Sequence, residues 1–366
     1  MKLGRIAAAS LAALTLTLTA CSGAETSAGS ASSVDQKGLE AATALVNQYK
    51  ASVSEKELPT GTNKVQPGKF VITVPCAYAA ENCKRGVDAF AEAAKAVGWR
   101  TQMIDPAGDP NAARAAVQQA INLKADGIFF LAGSPGGLAS DLAEARQRGI
   151  KTINVEGGGN EPGQFDVNIE PSPEGMGRLL AAQITVQSKG TAKVLLVNDP
   201  EFQAVAKIHE GLVNGLKEFC SGCTTTDDIS FQIADLSTGL PTQFESALAA
   251  HPETDYVWAS YDAAGASIRP VIQRSANGDN IKMVSTDGLE ANLADVKAGG
   301  IQSADVAASS PWLAYQSLDT MNTLFKGGKA DLNIAGPYKL VTKDNITTIP
   351  WDGDVDWKSA YLNRWK

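Results

Sequence analysis

Residues 69–75 read K-F-V-I-T-V-P, and the five from Phe70 to Val74 form an apolar run broken only by Thr73. A run without alternation predicts a strand covered on both faces, the condition of a parallel sheet flanked by helices. A helix should follow, since Val87, Phe90, Ala91, Ala94 and Val97 recur at helical spacing. Strand and helix then alternate. R-T-Q-M-I-D from 100, G-I-F-F-L-A from 127, K-T-I-N-V from 151 and F-D-V-N-I from 165 read as strands. Residues 111–123 and 138–148 read as the helices between them. Short connections in this order predict right-handed crossovers and a doubly wound α/β half.

Pro171 and Pro173 mark a boundary, after which the pattern restarts. A-K-V-L-L-V-N-D from 192, I-S-F-Q-I from 229, Y-V-W-A-S-Y-D from 256, I-K-M-V-S-T-D-G from 281 and I-Q-S-A-D-V-A-A from 301 are expected strands. The helix from Phe202 to Phe219 carries Val205, Ile208, Leu212 and Leu216 on one side. Pro311 opens a last long helix with Trp312, Leu313, Leu318, Met321 and Leu324. The chain of 366 residues is too long for one ordinary core and suits two lobes.

The N-terminus reads differently. Lys2 and Arg5 precede an apolar segment from Leu11 to Ala20 that closes on L-T-A-C, ending at Cys21. A basic start, a short apolar core and small residues at the cut describe a secretory signal over 1–20. Residues 21–35 are a Ser/Gly/Ala tether too poor in apolar side chains to pack. Residues 36–68 are a helix with Leu39, Ala42 and Leu45 or Val46 inward, then a loop rich in Pro and Gly.

There are 32 basic and 40 acidic side chains, which leaves no basic footprint for nucleic acid. Cysteines other than Cys21 fall as two close pairs. In an exported chain an even count reads as disulfides, and of three possible pairings the local ones are expected: Cys76–Cys83 and Cys220–Cys223. C-S-G-C at 220–223 formally fits a redox pair. It follows an amphipathic helix rather than a strand, so a clip at a helix terminus is expected. No zinc spacing, phosphate-binding loop, H-E-x-x-H or nucleophile elbow is present. The expectation is therefore no catalytic residue, no metal and no cofactor. His209 and His251 are read as structural.

From about 69 to about 345 the chain resembles a type I periplasmic binding protein of the sugar-binding class, the substrate-binding subunit of an ABC importer. The resemblance rests on K-F-V-I-T-V-P, D-A-F-A-E-A-A-K-A-V-G-W, D-P-A-G-D-P-N-A-A-R-A-A-V-Q-Q-A-I, A-D-G-I-F-F-L-A, G-I-K-T-I-N-V-E, V-W-A-S-Y-D-A-A-G-A and V-S-T-D-G-L-E-A-N-L, in order and spacing. L-T-A-C resembles a bacterial lipoprotein signal, which implies lipid on Cys21 and a membrane anchor through that lipid only, on the extracytoplasmic face. The family implies an α/β fold of two Rossmann-like lobes with parallel sheets, joined by a three-strand hinge. On this chain lobe 1 would be 69–171 plus 309–345, and lobe 2 would be 174–308 plus 346–366. Crossings would fall near Pro171–Pro173, near Ala308–Ser310 and after Leu340.

The ligand would lie between the lobes at the carboxyl ends of both sheets, as is general for open α/β sheets. Carried over residue by residue, the resemblance places Glu156, Tyr261 with Asp262, Asp287 and Ser309 at the site. The family's Asp-Arg pair is Glu156-Gly157 here, and its second-lobe arginine falls on Ala206 beside Lys207. Tyr78, Tyr261 and Trp312 are candidate ring platforms, and Ser134 in G-S-P-G-G a candidate hydrogen-bonding contact. Trp258 is expected in the core, and Trp351, Trp357 and Trp365 are expected to be structural. The function implied is capture of a small polar solute by a monomer, and its delivery to ABC permease subunits. A sugar or polyol is the first expectation. Three acids would also suit a cationic ligand, and the rings an aromatic one. A ligand sensor feeding a membrane receptor would use the same cleft.

Overall fold

The computed structural model describes residues 35–366. The signal, Cys21 and the tether up to residue 34 lie outside the described residues. The elements in chain order are α1 (Gln36–Lys50), β1 (Phe70–Val74), α2 (Glu81–Ala96), β2 (Arg100–Met103), α3 (Pro110–Asn122), β3 (Gly127–Leu131), α4 (Pro135–Gln147), β4 (Lys151–Val155) and β5 (Val167–Glu170). The second series is α5 (Pro173–Ser188), β6 (Lys193–Asn198), α6 (Gln203–Phe219), β7 (Thr224–Ser230), α7 (Gly239–Ala250), β8 (Tyr256–Ala259), α8 (Asp262–Arg274), β9 (Lys282–Asp287), α9 (Glu290–Ala298) and β10 (Gln302–Ala308). The chain closes with α10 (Ser310–Phe325), β11 (Asn333–Ala335), β12 (Tyr338–Thr342) and α11 (Trp357–Arg364).

Two six-stranded sheets form, ordered β11-β5-β4-β3-β1-β2 and β12-β10-β9-β8-β6-β7. Within each, the order reverses beside the first strand, between β1 and β3 and between β6 and β8. These are topological switch points, where open sheets leave a crevice at their carboxyl ends. The apolar runs read from sequence are the buried central strands: all of β1 and β3 is buried. In lobe 1, Phe90 on α2 stacks on Phe129 of β3 at 4.4 Å, while Ile72 and Phe130 face Val117 and Leu142 on the other side.

In lobe 2, α5 and α6 approach closely through glycine. A Cβ at Gly177 would fall 1.9 Å from the Ile208 carbonyl oxygen, and one at Gly211 would fall 2.2 Å from that of Glu174. This contact seats the amino end of α5 against the middle of α6, and both helices contribute to the cleft.

Three expectations need correction. The strand expected over 229–233 lies earlier, at β7. It is an edge strand of mostly polar residues, T-T-T-D-D-I-S, so it carries no hydrophobic signal. The third crossing is at Gly336–Pro337 rather than after Leu340. There β11 pairs with β5 in the first sheet, and β12 pairs antiparallel with β10 in the second. Leu340 and Val341 bury on opposite faces of that second sheet, which is why the chain has already crossed.

The C-terminal segment also divides between lobes. Trp351 buries beside Leu293 and Val296 of lobe 2, but Trp357, Tyr361 and Trp365 join Trp312 and Tyr315 in the core of lobe 1. In return α1 packs on lobe 2 through Ala42 and Val46. Its start is capped by the Asp35 side chain, which accepts from the Gly38 N–H at 2.9 Å.

Candidate functional site

The two sets of strand ends face each other across a cleft of about 810 Å³, counting its open mouth. Lobe 1 contributes Cys76, Asn82, Cys83, Leu131, Ala132, Glu156 and Glu170. Lobe 2 contributes Met176, Phe202, Val205, Ile208, Ile233, Tyr261, Thr286, Asp287 and Leu289. The walls are largely apolar, with a few polar groups set at strand ends, the usual composition of a small-molecule site.

Three lining residues leave their strands with a left-handed backbone although none is glycine: Ala132 at φ 55°, Glu156 at 56° and Asp287 at 111°. Such conformations cost about 1–3 kcal/mol each and collect at functional sites. Here they turn the chain sharply where each strand meets the cleft, so that Glu156 and Asp287 line it.

Glu156 accepts a hydrogen bond from Asn82 Nδ2 at 3.0 Å and one from Ser310 Oγ at 3.0 Å. Burial pushes its carboxyl up to about 7, against the two hydrogen bonds, which act the other way. Asp287 is raised well above the usual range by burial and then by the charges of Asp262 and Glu156. Glu170 is raised by burial, though it accepts from the Gly158 N–H at 2.7 Å. Tyr261 donates its hydroxyl hydrogen to Asp199 Oδ2 at 2.8 Å. Burial pushes Asp199 to about 7 as well.

A carboxyl group with a raised folded-state value binds its proton more tightly when folded. Its stabilising contribution is complete below the unfolded value and is lost as pH rises through the folded one. Melting of the ligand-free protein should therefore decline between about pH 5 and about pH 8. Glu156→Gln should flatten that decline, as a calorimetric pH series would show.

The sequence candidates divide. Glu156, Tyr261 and Asp287 line one cleft from opposite lobes, and five others do not reach it. Asp262 is fully buried. It accepts from the Leu289 N–H at 2.7 Å and Gln302 Nε2 at 3.2 Å, and Ser285 Oγ donates to it. It anchors the loop after β9 and does not meet a ligand. Trp312 is buried in lobe 1, stacked on Trp357 with ring centroids 6.0 Å apart. Ser309 caps α10, accepting from the Trp312 N–H at 3.1 Å, and donates to Asp352 Oδ1 at 3.1 Å. Tyr78 points away from the cleft, donating to Asp88 Oδ1 at 3.1 Å. Ser134 is exposed at the start of α4.

Both local disulfides form, with Cα separations of 5.7 Å for Cys76–Cys83 and 5.3 Å for Cys220–Cys223. The first lies in the cleft wall and the second clips the end of α6. Among the described residues no group of His, Cys, Asp and Glu is arranged to hold a metal, and no helix is long and apolar enough to cross a membrane.

Sequence reading missed Asn82, Ser310 and Glu170, none of which has a local signal. It also missed that Phe202, Val205 and Ile208, read as the inward face of a helix, begin that face at the cleft.

Residues 77–329 match the model of the periplasmic binding protein domain. The chain belongs to that family. Its members are substrate-binding proteins of transport rather than enzymes, and the two-lobed type I architecture described above is theirs. Solved structures similar to this family member include an ABC transporter solute-binding protein from Burkholderia graminis C4D1M in complex with D-arabinose, at 17% identity and TM-score 0.70. That match covers 78% of this chain and 99% of the other. A solute-binding protein from Agrobacterium vitis with bound allitol is 21% identical, with TM-score 0.68 and coverage of 75% and 96%. One from Mycobacterium smegmatis with bound glycerol is 17% identical, with TM-score 0.70 and coverage of 79% and 100%. No curated protein matches the chain.

Proposed function

We propose that this protein is the substrate-binding component of an ABC importer. It captures a small organic solute between its lobes outside the membrane and delivers it to the permease subunits. The observation that carries the reading is the cleft itself, at the carboxyl ends of two parallel sheets and lined from both lobes. A ligand touching both walls gains contacts only in the closed state, so it drives hinge closure by differential affinity. In this reading the protein works as a monomer. It is tethered through lipid on Cys21, since L-T-A-C after an apolar run precedes a Ser/Gly tether. Stable anchoring takes two or more acyl chains.

The ligands of the relatives favour a sugar or polyol. The cleft walls agree to this extent: Glu156, Glu170 and Asp287 are acceptors, and no Arg or Lys is among the lining residues. The solute must bring hydrogen-bond donors of its own. A thermal-shift screen of the purified protein against sugars, polyols, nucleosides and amines tests capture, because a ligand that binds only the folded state raises the melting temperature by mass action. A saturable rise with one class is expected, and no rise with any class would reject the reading. Intact-mass analysis of the membrane fraction tests the anchor, where an unmodified mature form starting elsewhere would reject it.

A further inference from the structure

The cleft holds more carboxyl groups than a neutral solute would use. Glu156 and Asp287 face it from opposite lobes, close enough for the charge of one to raise the other. Glu170 adds a third carboxylate. Arg85 and Lys207 are not among the lining residues, though their charges reach the cleft. Arg85 Nη2 meets Asp352 Oδ1 at 2.5 Å, while its Nη1 has no hydrogen-bond partner and its charge acts on Glu156 and Asp287. Lys207 Nζ meets Glu174 Oε1 at 3.3 Å, while its charge acts on Glu170. The rest of the wall is apolar, with Met176, Phe202, Val205 and Ile208 forming one face. A polyhydroxylated ligand would bring no positive charge to a cleft where three carboxyls share Arg85 and Lys207, and would set hydroxyls against hydrocarbon. Both mismatches cost free energy in a water-poor cleft.

We infer that the cleft takes a small organic ammonium ion, with its nitrogen seated between Glu156 and Asp287 and its apolar body against Phe202, Val205 and Ile208. This deepens, and rests on, the reading of the protein as a solute-capturing receptor. The ammonium hydrogens meet charged acceptors, and such bonds are the stronger kind. A bound cation offsets the cost of ionising two facing carboxyls in an apolar cleft.

The proton balance is specific. Glu156 faces Asn82 and Arg85 of α2, Ser310 of α10, Glu170 at the end of β5 and Asp287 at the end of β9, with Lys207 of α6 nearby. Its proton leaves near pH 7 in the empty cleft. A cation favours the ionised form, so binding should release protons and affinity should rise with pH up to and through that range.

The test compares charged probes with neutral isosteres by calorimetric titration of the full chain. Phenethylamine is paired with 2-phenylethanol, and choline with 3,3-dimethylbutan-1-ol, alongside D-arabinose and allitol. At least one amine should bind roughly tenfold or more tighter than its isostere, with buffer-dependent proton release and affinity rising with pH. Glu156→Gln should abolish most of that preference. Asp287→Asn provides the same readout if the first variant folds poorly. Equal binding of amine and isostere would overturn the inference. Binding of D-arabinose or allitol without the amines would overturn it while leaving solute capture standing. No binding by any probe would overturn both.

Discussion

Replacing Trp312 by alanine should destabilise the protein by about 3–5 kcal/mol, the usual cost of deleting a large buried aromatic side chain. The ring is 1% exposed, packs parallel to Trp357 and is in contact with Gly353, where a Cβ would fall 2.9 Å from its edge. Neither the solvent nor the cleft can fill the vacancy. Denaturant unfolding should therefore show a large loss, while ligand affinity measured on the folded fraction changes little. Weakened affinity with stability intact would return Trp312 to the ring-platform role that its sequence context suggested.

Asp287→Ala should do the reverse. The residue lines the cleft, and among the described residues no side chain donates to its carboxylate. Loss of a buried, charge-assisted contact should cost on the order of 2–4 kcal/mol of binding. Stability without ligand should be unchanged or higher. The substitution removes a carboxylate crowded by Asp262 and Glu156, and it relieves a side chain held at φ 111° only in part, since alanine has a Cβ too. Calorimetric titration and melting of the same preparation separate the two effects. Unchanged affinity would show that the ligand does not meet this carboxylate.

These two residues show what sequence could carry. The architecture was legible because β1, β3 and their counterparts in lobe 2 are predominantly apolar runs between helices with regular inward faces. β7 was misplaced because a polar edge strand has no pattern. The partition of the C-terminus was not legible either, because the burial of Trp351 in one lobe and Trp357 in the other depends on contacts with distant segments.

At the site, Asp262 and Asp287 have the same local context, an acid at the end of an apolar strand. The difference lies in backbone direction. Asp262 begins α8 and turns its carboxylate inward to the Leu289 N–H, while Asp287 leaves β9 with positive φ and lines the cleft. No local rule separates them. Trp312 was legible in part. It lies one helical turn before Tyr315, and both are buried in the same core, so helical spacing pointed inward while its nearness to a strand end pointed to the cleft.

The most direct test is small-angle X-ray scattering of the purified protein titrated with the amine and polyhydroxyl probes. Capture between lobes requires that the ligand which binds also closes the molecule. One probe class should reduce the radius of gyration saturably, in step with the calorimetric isotherm, and Asp287→Ala should abolish the change at the same probe concentrations. Tight binding with an unchanged radius of gyration, or compaction retained in Asp287→Ala, would place the ligand outside this cleft and contradict the account.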